Sequence, residues 1–124
     1  MNVVDSSAWL EFFADGPNAG AFAPVIQNVR ELVVPTITIF EVYKRAHQQR
    51  GEGEALRAVA AMMQGTVVSL GGELAISAAR LSLERRLPLA DSVVLATARA
   101  HRATLWTQDA DFKGLEGVRF FAAR

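Results

Sequence analysis

Short apolar runs alternate with helix-patterned segments along the whole chain, and this alternation narrows the fold more than any other feature. Runs near Asn2 to Val4, Leu32 to Val34, Val67 to Ser69, Thr104 to Thr107 and Val118 to Phe120 have the length and composition of buried strands. Between them lie helical patterns. Ser6 to Phe13 is one. Ile39, Val42, Tyr43 and Ala46 repeat at i, i+3, i+4, i+7 before Gly51 and Gly53 break the chain. Leu56, Val59, Ala60 and Met63 repeat the pattern within Glu54 to Gln64 and predict the apolar face of that helix. A helix over about Glu73 to Arg86 follows Gly71-Gly72 and is stopped by Pro88, and Gly16-Pro17 marks a turn. Ser92 to Ala100 is apolar nearly all round, which predicts a central, buried helix. Strands separated by helices pair in parallel through crossovers. The expectation is an α/β chain, a three-layer α/β/α sandwich with a central parallel sheet, forming one domain over residues 1–124.

Half of the residues are hydrophobic and about a fifth are charged, so the chain has the makings of a packed core rather than of a disordered segment. No apolar run approaches the roughly 18 residues of a membrane span. Met1-Asn2 leads straight into Val3-Val4-Asp5 without a basic segment, which gives no sign of a secretion signal. With no cysteine there are no disulfides and no thiolate metal sites, in keeping with a cytoplasmic protein. Net charge is zero, against a protein that coats nucleic acid by charge alone. Basic residues still cluster locally, at Lys44-Arg45-His47-Arg50, Arg85-Arg86 and Arg99/Arg102, where the plain reading is a solvated helix face.

Four acids stand where strands run into helices or turns. Asp5 ends the first strand, Glu41 follows the second, Asp91 opens the buried helix and Asp109 follows the fourth strand. Singly, each has a structural reading. Asp5 and Asp91 would serve as helix N-caps, Asp109 as the acceptor of an Asx-turn, and Glu41 as a partner of Arg45 one turn on. Glu41 also lies opposite the Ile39/Val42/Tyr43/Ala46 stripe, so periodicity makes it solvated. Together the four acquire another meaning, because open parallel sheets bind ligands at the carboxyl ends of their strands. Two charges about 4 Å apart repel by roughly 4 kcal/mol at a protein-like dielectric. A divalent cation reverses that sign, and oxygen ligands suit Mg²⁺ or Mn²⁺. Such an ion also gives phosphodiester hydrolysis an acidified water and a counter-charge for phosphate. A phosphoacceptor signalling domain fits less well, since Asp5 is followed by Ser6-Ser7 instead of a second acid and no Lys follows the last strand.

Val3-Val4-Asp5-Ser6-Ser7-Ala8-Trp9-Leu10-Glu11 resembles the opening of PIN-domain proteins, in particular the VapC-type toxins of toxin–antitoxin pairs. Thr36-Ile37-Thr38-Ile39-Phe40-Glu41-Val42, the stretch Leu87-Pro88-Leu89-Ala90-Asp91-Ser92 to Ala98, and Thr104-Leu105-Trp106-Thr107-Gln108-Asp109-Ala110-Asp111-Phe112 resemble the later segments of that family, in order. The resemblance implies that Asp5, Glu41, Asp91 and Asp109 are catalytic, metal-binding acids. It puts Thr107 in the place of an active-site hydroxyl, with Asp111 sharing or replacing the role of Asp109. It further implies a metal-dependent endoribonuclease using Mg²⁺ or Mn²⁺, an RNA substrate, a cognate antitoxin and a homodimer. Trp9, Phe12, Phe13, Phe40 and Tyr43 offer apolar surface for helix-mediated association, or for the core. The alternative is a catalytically weak PIN-fold module that binds RNA or protein.

Overall fold

A computed structural model describes residues 1–124. Its elements run β1 (Asn2–Val4), α1 (Ser6–Phe13), α2 (Ala19–Gln27), β2 (Leu32–Pro35), α3 (Thr36–Arg50), α4 (Glu52–Met62), β3 (Thr66–Val68), α5 (Gly72–Arg85), α6 (Leu89–Ala100), β4 (Thr104–Thr107) and β5 (Val118–Phe120). The strands form one sheet in the order β3-β2-β1-β4-β5, and every neighbouring pair is parallel. The α/β/α arrangement with a central parallel sheet expected from the alternation is present. β1 lies at the centre. The chain leaves it toward β2 and β3 and later returns to its other side as β4, so the strand order reverses between β1 and β4. A crevice at the carboxyl edge follows from that reversal.

Alternation along the strands divides the core in two. Val3 and Val33 face α5 and α6, joining Ala78, Leu81, Val94, Leu95 and Ala98. Val4 and Val34 face the other layer, with Trp9 of α1, Phe22 and Ile26 of α2, Val42 of α3 and Met62 of α4. Helix α6 is buried continuously from Ser92 to Ala98, as its all-round apolar pattern predicts. Trp9 is fully buried and stacks on Phe13 at 5.7 Å, so much of the aromatic surface around α1 belongs to the core. Phe40 does not; it is 60% exposed.

Three local features differ from what the sequence pattern alone suggests. Helix α4 buries Ala55, Ala58 and Met62, whereas Leu56 and Met63 of the predicted face are mostly exposed. Alanines at the contact let α4 approach its neighbour closely, and that packing outweighs the larger side chains one position on. Helix α3 starts at Thr36, directly after the last paired strand residue Pro35, although its β-branched first turn looks like strand. The hydroxyl of Thr38 donates back to the Pro35 carbonyl at 2.7 Å, a local bond across the first turn. Helix α2, absent from the sequence reading, forms despite Gly20 and Pro24, both poor helix residues. Burial of Phe22, Val25 and Ile26 against the sheet overrides that propensity.

Candidate metal centre

Val4 of β1 is in register with Trp106 of β4, and the amide of Asp5 donates to the Trp106 carbonyl at 3.0 Å. Asp5 therefore leaves the sheet beside Thr107, at the strand-order reversal. It occupies the N-cap position of α1 yet makes no side-chain capping bond. Its Oδ2 instead accepts from the Ser7 hydroxyl at 2.8 Å and from the Thr107 hydroxyl at 3.0 Å. At 2% exposed, Asp5 is a buried carboxylate. Burial raises its pKa, the two hydroxyls pull it down, and the charge of Asp109 pushes it up again.

Glu41 falls in the second turn of α3 because that helix begins early, and it is half-buried rather than solvated. No ion pair with Arg45 forms; the ion pairs of the chain are the N-terminus with Glu31 and Arg57 with Glu54. Burial raises the Glu41 pKa, the adjacent Ser6 hydroxyl lowers it, and the charges of Asp5 and Asp109 raise it further. Asp91 is likewise not a cap. Pro88 holds the N-cap position of α6, and Asp91 sits within the first helical turn. Its pKa is pushed up to about 8, first by burial, then by the neighbouring Asp111 carboxyl and by the charges of Asp109 and Asp5. Asp109 does close a turn: its Oδ1 accepts from the Asp111 amide at 2.9 Å. That turn also brings Asp111 round to the cluster.

One carboxylate oxygen from each of Asp91, Asp109 and Asp111 lies within 4.8 Å of the others. Asp5 and Glu41 stand outside this tightest set but within electrostatic range of its members. Thr107, fully buried, connects the two parts: it donates to Asp5 and accepts from the Asp109 amide at 2.9 Å. Five acids with no basic partner form a donor set of oxygen alone. It fits a hard divalent cation: Asp91, Asp109 and Asp111 could hold one, and Asp5 and Glu41 add negative charge within electrostatic range. Ser7 was not singled out from the sequence. The signal available was its place two residues after an Asp at a strand–helix junction, where a hydroxyl can turn back onto the carboxylate.

The PIN domain family matches residues 3–118, and the chain belongs to that family. No curated protein matches it. Among solved structures, a toxin–antitoxin complex from Klebsiella pneumoniae is similar at 25% identity with a TM-score of 0.82, covering 96% of each chain. The sarcin–ricin-loop-cleaving toxin VapC20 of Mycobacterium tuberculosis is 19% identical with a TM-score of 0.77, covering 96% of this chain and 99% of that one. VapBC2 from Rickettsia felis, solved with a fragment of its promoter DNA, is 12% identical with a TM-score of 0.73, covering 98% and 97%. No helix is long and apolar enough to cross a membrane.

Proposed function

We propose that the chain is a cytoplasmic, metal-dependent endoribonuclease, the toxin of a toxin–antitoxin pair, acting through Mg²⁺ or Mn²⁺ bound at its carboxylate edge. The observation that carries this reading is the gathering of Asp5, Glu41, Asp91, Asp109 and Asp111 without a paired cation. Without a cation this pocket repels a phosphodiester, so a function on RNA requires one. A bound divalent cation supplies charge against the phosphate oxygens and acidifies water. Asp91, Asp109 and Asp111 would hold it. Asp5, fixed by Ser7 and Thr107, adds a charge of set orientation, and Glu41 would accept a hydrogen bond from the attacking water and aim it. Similarity to a toxin that cleaves an RNA loop supports RNA as substrate, and similarity to toxin–antitoxin complexes supports an antitoxin partner.

Uncovered apolar surface supports protein partners too. One groove of about 550 Å³ between α3 and α4 is walled by Ile39, Phe40, Tyr43, Leu56 and Val59. A second apolar face carries Leu70, Leu83 and Leu89, which are 46%, 83% and 75% exposed. An antitoxin and a second copy of the chain, as a homodimer, would each cover such a face. The test is cleavage of a mixed RNA pool with Mg²⁺ or Mn²⁺, against EDTA and against Asp5→Asn and Asp91→Asn. Cleavage should require the ion and both carboxylates. Undiminished cleavage in EDTA or in either variant refutes the metallonuclease reading, and RNA binding without turnover would mean a PIN-fold binding module.

A further inference from the structure

Asn18 occupies the N-cap position of α2, where an Asn side chain ordinarily caps the helix; here it makes no such bond. It is 3% exposed, and its polar atoms are committed elsewhere. Its Nδ2 donates to Gln108 Oε1 at 3.0 Å and to the Ala122 carbonyl at 2.9 Å, while its Oδ1 accepts from Arg124 Nε at 3.2 Å. Its own amide donates to Glu11 Oε2 at 2.7 Å. One buried asparagine, through its backbone and its side chain, thus ties α1 and the α1–α2 turn to residue 108 and to the chain beyond β5.

Gln108 lies between Thr107 and Asp109. The last register pair of the sheet on that strand is Thr107 with Phe120, so Asp109 stands two residues past the end of the ladder. Extended backbone continues through it, at φ −84° and ψ 121°. Successive side chains along extended backbone point to opposite sides. Thr107 reaches Asp5 on one side, and Gln108 reaches Asn18 on the other. The Gln108 amide also donates to Ser7 Oγ at 3.2 Å, the hydroxyl that donates to Asp5. The segment bearing Asp109 is held from both sides, and only one of the two holds belongs to the acidic cluster.

We infer that Asn18 and Gln108 are a pair of positioning residues that fix the Thr107–Asp109 segment, and so the place of Asp109 among the acids. This rests on the metal-dependent reading above. Without the pair, the segment keeps its bonds to Asp5 and loses its restraint on the opposite side.

Asn18→Ala and Gln108→Leu, singly and together, test this in the full chain, with Arg124→Ala as a control that removes the Oδ1 contact and leaves the Gln108 bond. Two quantities are read. Calorimetric titration with Mn²⁺ alone should show affinity about tenfold weaker in each single variant, the range for residues that orient metal ligands. The double variant should fall no further than Asn18→Ala, because the bond that Gln108→Leu breaks is already lost there. Amide exchange in metal-free protein should be roughly tenfold faster at Gln108 and Asp109 in both single variants, while Arg124→Ala stays near the parent. Unchanged exchange at those two amides in Asn18→Ala and Gln108→Leu, or unchanged Mn²⁺ affinity beside a parent that binds Mn²⁺, overturns the inference. A parent that binds no Mn²⁺ defeats the metal reading instead, and the exchange rates then decide the positioning role by themselves. Should Asn18→Ala fail to fold, Gln108→Leu, at a partly exposed position, carries the test.

Discussion

Replacing Asp91 with asparagine should make the metal-free protein more stable. In the folded chain the Asp91 carboxyl is pushed from 3.8 to about 8 by burial and by its acidic neighbours. At about 1.4 kcal/mol per pH unit, a rise of that size would amount to about 6 kcal/mol for a group sealed from water. Asp91 is half-buried, and solvent screening brings the realistic figure to about 1–2 kcal/mol. The sign follows from linkage. Below pH 3.8 the carboxyl is protonated folded or unfolded; between there and about 8 the folded state holds the proton and the unfolded state has released it. Stability contributed by this group is therefore complete at low pH and lost as pH rises through about 8. The asparagine side chain has no such proton to lose. In EDTA at pH 8, Asp91→Asn should melt about 3–10 °C higher than the parent, with the gap closing by about pH 4. Mn²⁺ should reverse the order by stabilising the parent more. The assay is thermal denaturation over pH 4–9 in EDTA and in Mn²⁺. A variant less stable than the parent in EDTA at pH 8, or no narrowing of the gap toward pH 4, would refute the electrostatic reasoning.

Thr107→Val removes a hydroxyl that donates to Asp5 and accepts from the Asp109 amide, so it should destabilise the fold by about 1–3 kcal/mol in urea denaturation and weaken Mn²⁺ binding in calorimetry. Sedimentation at tens of micromolar should give a dimer of the isolated chain, since Leu83 and Leu89 leave more apolar surface in water than a monomer normally tolerates; a monomer at that concentration counts against the homodimer.

How much could be read in advance varied with what each residue answers to. The strands of Val3, Val33 and Leu105 are buried on both sides, so their apolar runs registered directly, and so did the all-round burial of α6. Helix α4 did not, because two stripes one residue apart are both apolar, and only the neighbour's shape chooses between Ala55 and Leu56. Asp5, Glu41, Asp91 and Asp109 could be nominated because parallel strand ends share an edge. Which oxygens come closest could not, since that depends on a turn at Asp109 that swings Asp111 inward. Asn18 was illegible for a related reason: its partners, Gln108 and Arg124, lie about a hundred positions away, and no local pattern announces such a bond.

The hydrogen bond from Thr107 to Asp5 spans 102 positions of sequence, and β4 inserts beside β1 only after four-fifths of the chain has been laid down. A growing polypeptide that has emerged through α6 possesses Asp5, Glu41 and Asp91 but neither of the acids that follow β4. Non-local strand pairing of this kind is slow and comes late in folding. Assembly of the acidic edge therefore waits on the arrival of β4, and a chain that ends before it lacks both Asp109 and Asp111.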